Sequence, residues 1–110
     1  MAIYNTAVTS SNTTLSTGAG DRAITTLIFC NTSTYVPATP ALNQSLLYVY
    51  AVPSGGTAGN GNIIVNGLPV PAGETVSFDQ EKIVLGTGDF IVAKTDSLSN
   101  ITATVSILAV

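Results

Sequence analysis

The 110-residue chain contains no histidine. That removes the commonest general base, the commonest metal ligand, and every Ser-His or Cys-His nucleophile arrangement. It has no tryptophan and a single cysteine, Cys30. No intramolecular disulfide can form, and a structural zinc site of the usual cysteine-rich kind is ruled out. Charge is equally scarce: three basic residues, Arg22, Lys82 and Lys94, stand against six acidic ones, and charged residues make up 8% of the chain, where about a quarter is usual. Three cations cannot neutralise a row of phosphates, so neither nucleic acid nor an anionic membrane surface is an expected partner. No run of 18 apolar residues occurs, and the opening MAIYNTAVTSSNTT lacks the basic and apolar regions of a secretory signal. A chain made in a cytoplasm is the expectation.

What is present is 45% hydrophobic residues, rich in Val and Ile, together with Thr, Ser and Asn as the polar surface. That much apolar side chain supplies the burial that disordered segments lack. At this length one domain spanning residues 1–110 is expected, with a single core. No segment keeps the i, i+3, i+4, i+7 apolar rule over three turns, and β-branched residues fill the apolar runs, so the fold class is all-β. The last segment, ITATVSILA, alternates strictly, with Ile101, Ala103, Val105 and Ile107 on one face and Thr102, Thr104 and Ser106 on the other. Two runs differ. AITTLIFC (23–30) and SLLYVYAV (45–52) carry apolar side chains on both faces, which calls for cover on both, from a partner or from a long loop of the same chain. Within the first of them Cys30 is expected to be a small buried side chain rather than a reactive thiol. Shorter strands are predicted at 3–9, 14–16, 62–65, 75–79, 82–85 and 90–95. Turn signals separate them at the spacing of a single antiparallel β-sandwich or jelly-roll-like domain. TSTYVPATPALN (32–43) reads as an extended surface loop and SGGTAGN (54–60) as a flexible one.

The remaining chemistry belongs to carboxylates and glycines. LPVPAGETVSFDQEKIVLGTGDFI (68–91) holds four of the six acids, Glu74, Asp79, Glu81 and Asp89. Pro69, Pro71, Gly73 and Gly88 place them where strands begin and turn, and the pair Asp79 and Glu81 beside Lys82 reads as a solvated turn. A glycosidase pair would need two facing acids and, in general, aromatic platforms. GGTAGNG (55–61) lacks the helix and the lysine of a phosphate loop. Asp96 with Asn100, or Asp89 with a neighbouring loop, are the places where calcium would sit, although no ligand spacing demands it. No catalytic, metal or cofactor residue is therefore assigned, and no enzyme is expected. The sequons at Asn12, Asn31, Asn43 and Asn100 follow from the Asn and Thr content and receive no role. Tyr35 in the proline-containing loop, with Tyr48 and Tyr50 on one face of a strand, are the candidate interface residues, core or interface packing being favoured over sugar stacking.

The order PAGETVSF (71–78), EKIVL (81–85) and GTGDFI (86–91), preceded by AITTLIFCN (23–31) and LYVYAVPSG (47–55), resembles small β-sandwich structural proteins of tailed bacteriophages. The resemblance covers about residues 19–110, and its strength lies in the order of these turn-and-strand signals. It implies a virion component, a head decoration or cement protein or a neck, tail or baseplate accessory. Other virion proteins are the implied partners, and a homo-oligomer such as a trimer or ring is the implied assembly. The alternative is a fibre-associated module that recognises a host-surface glycan.

Overall fold

The computed structural model describes residues 2–78, 83–96 and 98–109. Among the described residues it is all-β, with nine strands: β1 (Ala2–Val8), β2 (Thr13–Thr17), β3 (Arg22–Asn31), β4 (Ser45–Val52), β5 (Ile63–Val70), β6 (Thr75–Phe78), β7 (Ile83–Leu85), β8 (Phe90–Thr95) and β9 (Ile101–Ala109). They form two antiparallel sheets, one ordered β1-β9-β3-β6 with β7 also on β3, the other β2-β8-β4-β5. Because β6 pairs with Leu27–Cys30 and β7 with Arg22–Ile24, these two occupy successive stretches of one edge position.

The connectivity has a simple physical description. β1 pairs with β9, β2 with β8, β3 with β6 and β7, and β4 with β5. The chain is thus one long antiparallel ribbon, doubled back between β4 and β5 and rolled so that successive ribbon segments alternate between sheets. That is the jelly-roll arrangement anticipated for the sandwich.

The core lies where the inward faces meet. Strict alternation in β9 gives buried Ile101, Ala103, Val105 and Ile107 and half-buried Thr102, Thr104 and Ser106, the pattern of a strand with one dry and one wetter face. Phe29 in β3 is fully buried and meets Phe78 of β6 edge to face, with ring centroids 6.1 Å apart. Leu47, Val49, Ile91 and Ala93 complete the inner layer from the opposite sheet.

The two-sided strands are covered in different ways. On β4 the inner face is Leu47 and Val49 with Ala51, and the outer face is Tyr48, Tyr50 and Val52. Tyr50 and Val52 form a second apolar cluster with Val92, against which Ala58, Ile63 and Phe90 pack. The cover therefore comes from the same chain. The 53–62 connection that supplies Ala58 is tied down: Gly56 N donates to Pro53 O (2.9 Å), Gly59 N to Asn62 Oδ1 (3.0 Å) and Asn62 Nδ2 to Thr57 O (2.9 Å). Its glycines serve a folded turn, not a slack tether. On β3 the outward Ile28 and Cys30 receive no second layer from the described residues. Cys30 is half-buried rather than buried, because its cross-strand neighbours Thr102 and Thr75 shield it only from the side.

Strand limits shift by one or two residues at most places, with β5 the exception. It runs on through Asn66, Gly67 and Pro69 to Val70, where the sequence pattern stops at residue 65. As an edge strand it tolerates a proline that a central strand would not, and two register shifts against β4 absorb the irregular segment. The predicted turn of Asp79, Glu81 and Lys82 lies outside the described residues.

Truncating the largest fully buried side chain, Phe29→Ala, is expected to destabilise the fold by about 3–5 kcal/mol, because transfer energy is lost and a cavity is left between the sheets. A denaturant titration measures it, and a loss under about 1 kcal/mol would show that the layer repacks.

Candidate functional site

One end of the sandwich carries the connections 9–12, 32–44, 71–74 and 96–100, and the longest of these, between β3 and β4, is built on an asparagine clamp. Asn31 ends β3 and is 1% exposed. Its Nδ2 donates to the carbonyls of Asn43 and Val70, both at 2.9 Å, and its Oδ1 accepts from Ser33 N at 3.0 Å. Asn100 repeats the device from the β8–β9 connection: Nδ2 donates to Ser33 Oγ (3.0 Å) and Asn43 O (2.9 Å), while Oδ1 accepts from Ser45 Oγ (2.5 Å). Backbone bonds finish the base, with Thr32 N on Asn100 O, Asn31 N on Glu74 O and Gly73 N on Asn31 O. Asn43 itself holds φ 62°, a left-handed conformation that Asn tolerates better than most residues. Two primary amides suit this task because each offers two donors and an acceptor without charge.

Above the clamp, 32–44 folds through turns closed by Thr39 N on Val36 O and Leu42 N on Thr39 O, both 3.0 Å. The result presents apolar side chains to solvent: Tyr35 is 48% exposed and Leu42 50%, with Val36 beside them. Tyr35 packs beside the 71–74 turn, where Gly73 sits at φ +78°, a backbone conformation that L side chains rarely adopt. A rigidly based loop bearing exposed aromatic and aliphatic groups has the composition of a contact surface.

The three candidate tyrosines do not converge. Tyr35 stands on this loop. Tyr48 lies on the outer face of β4, half-buried under Gly67, with Lys94 Nζ 5.5 Å from its ring centre. That is a cation–π contact on the sheet surface. Tyr50 is 7% exposed inside the second apolar cluster, so the protein's own side chains occupy the face it was expected to offer.

The acids are spread over both ends. Asp89, at the far end, accepts from Gly86 N through Oδ2 and from Ser54 N through Oδ1, both at 2.9 Å, and so closes the 86–89 turn. Asp96 accepts from Leu46 N at 3.0 Å. Glu74 contributes its backbone to the clamp. Among the described residues no three of His, Cys, Asp and Glu come together. Asn100, considered with Asp96 as a calcium ligand, has both side-chain atoms engaged in the clamp.

Residue-by-residue reading of the sequence passes over the residues that organise this end. Asn31 and Asn43 appear there only as sequons, and Asn100 as a sequon and a calcium candidate; the available signal is an amide residue closing an apolar strand, where a buried polar group must find partners. Neither protein-family models, curated proteins nor solved structures give a match to this chain.

Asn31→Asp replaces a donor facing two carbonyls with a further acceptor. It is expected to cost about 2–4 kcal/mol and to open 32–44 to proteolysis at a concentration that leaves the parent intact. Unchanged stability together with unchanged cleavage would refute the clamp.

Proposed function

We propose that the chain is a non-catalytic, multi-copy structural subunit of a tailed-phage virion, of the capsid-decoration or tail-accessory kind, which docks on neighbouring virion proteins. The observation that carries this reading is the clamped loop 32–44, which holds Tyr35, Val36 and Leu42 out to solvent on a base that loses little conformational freedom when a partner covers it. Preorganised apolar contacts of this kind bind with a reduced ordering penalty. Three further features support it. The surface is polar but almost uncharged, the carboxylates of Asp89 and Asp96 accept from backbone N–H groups, and the jelly roll is an architecture used by capsid proteins. Lectins share this architecture, and function lives in sites grafted on a fold; here that site is the 32–44 loop.

The test uses particles of the phage that encodes the chain. The parent protein is expected in them at many copies by quantitative mass spectrometry. Recombinant protein with Tyr35→Ser and Leu42→Ser together is expected to rebind stripped particles at least about tenfold more weakly, equivalent to about 1.4 kcal/mol, with its thermal midpoint unchanged. Absence from the particle, or undiminished rebinding by the double variant, would overturn the proposal. Binding to host-surface glycan in place of particles would move the assignment to a receptor-recognition module.

A further inference from the structure

The two sheets have four edges, and three of them are spoiled for strand addition. β2 is five residues long with a register shift at Thr14/Ser16. β5 contains Pro69, holds Gly67 at φ +75° and shifts register twice. The remaining edge of the larger sheet is divided between β6 and β7. Bulges, prolines and interruptions are the devices by which sheet proteins keep other strands away. β1 has none of them. Its seven residues, AIYNTAV, pair with β9 without a break in register, carry no charge and no proline, and among the described residues have no strand on the other side.

The side chains of β1 point the same way. Tyr4 lies opposite Val105, on the inward face, yet it is 51% exposed where Val105 is 1%. The sandwich is open beside it: a groove of about 320 Å³ runs between the sheets here, lined by Tyr4, Leu15, Arg22 and Ile107 among others. On the outward face the strand reads Ile3, Asn5, Ala7, apolar–amide–apolar in either direction. The central amide accepts from Thr104 Oγ1 through its Oδ1 at 2.8 Å, and its Nδ2 donor and the second lone pair of Oδ1 make it complementary to a copy of itself, as neither Lys nor Asp would be.

We infer that β1 is a homodimerisation edge: two copies join β1 to β1 in antiparallel fashion about a two-fold axis, making one continuous sheet across the dimer. A head-to-tail contact would need a second open edge on the same molecule, and the other three are blocked. Self-pairing needs only β1 and gives a closed, isologous contact. Full overlap of the seven residues puts Asn5 on the axis opposite its own copy, with each Tyr4 near the mouth of the open groove. The inference does not depend on the virion reading, since it concerns the free protein in solution and not its place in a particle.

Sedimentation equilibrium and amide hydrogen exchange on the full chain test it together. The expected mass is twice 11.2 kDa. In a free edge strand alternate amides face solvent and exchange quickly; in the dimer consecutive amides of β1 are protected at protein concentrations above the dissociation constant, and alternate ones lose protection on dilution. Asn5→Lys places like charges opposite each other at the axis and is expected to weaken association at least tenfold, whereas Ile64→Lys, on exposed β5, leaves it unchanged. A monomer at high protein concentration, a trimer, or a dimer whose β1 amides keep the alternating pattern would each overturn the inference. So would equal loss from both lysine variants, which would indicate general apolar stickiness. If Asn5→Lys fails to fold, the exchange pattern of the parent protein decides alone.

Discussion

Every other contact in the molecule is arranged around the pairing of β3 with β9. Among the described residues β3 is the longest strand and the only one that meets three others, with β9 along its whole length on one side and β6 and β7 sharing the other. The pair supplies the inward floor of the core, Ile24, Leu27 and Phe29 alongside Ala103, Val105 and Ile107. It also joins residues near the start of the chain to its last strand. Its irregular point, the register shift between Ile24 and Thr26, is held by Thr25 Oγ1 donating to Ser106 O at 3.1 Å, so the strand bends without leaving a polar group stranded. Such a rolled ribbon closes only when distant segments meet, a topology associated with slow folding.

The outline of this arrangement is legible in the amino-acid sequence because period-two alternation is a local signal. β9, β3 and β4 stand out from their β-branched and alternating runs, and the sandwich class follows from their spacing. What is not legible depends on contacts far apart in the chain. Nothing local in SLLYVYAV distinguishes an outer face awaiting a partner from one covered by Ala58 and Ile63, since that depends on where the 53–62 connection lands. β5 is underestimated because Gly67 and Pro69 resemble strand breakers until the strand is known to lie at an edge. Cys30 is less buried than its apolar neighbours suggest, because burial on a sheet's outer face is set by the side chains of adjacent strands.

The candidate site was half visible. Tyr35 and the proline-containing loop announce an exposed segment, but the groups that make it rigid come from three separate connections, and only the fold brings Asn31, Asn43 and Asn100 to one place. The carboxylates show the converse. Their concentration between residues 68 and 91 suggests a site, yet Asp89 satisfies two backbone N–H groups at one end of the sandwich while Glu74 lies at the other. Sequence proximity along a ribbon that crosses between sheets is a poor guide to proximity in space.

The asparagine clamp has one more consequence. Its side-chain members are amides and hydroxyls, none of which gains or loses a proton across ordinary conditions, and uncharged hydrogen bonds are not weakened by the ionic screening that erodes exposed ion pairs. The loop it carries should therefore keep its shape in fresh water, brine or mild acid alike. A protein almost without charge has here traded the adjustable strength of salt bridges for indifference to the medium.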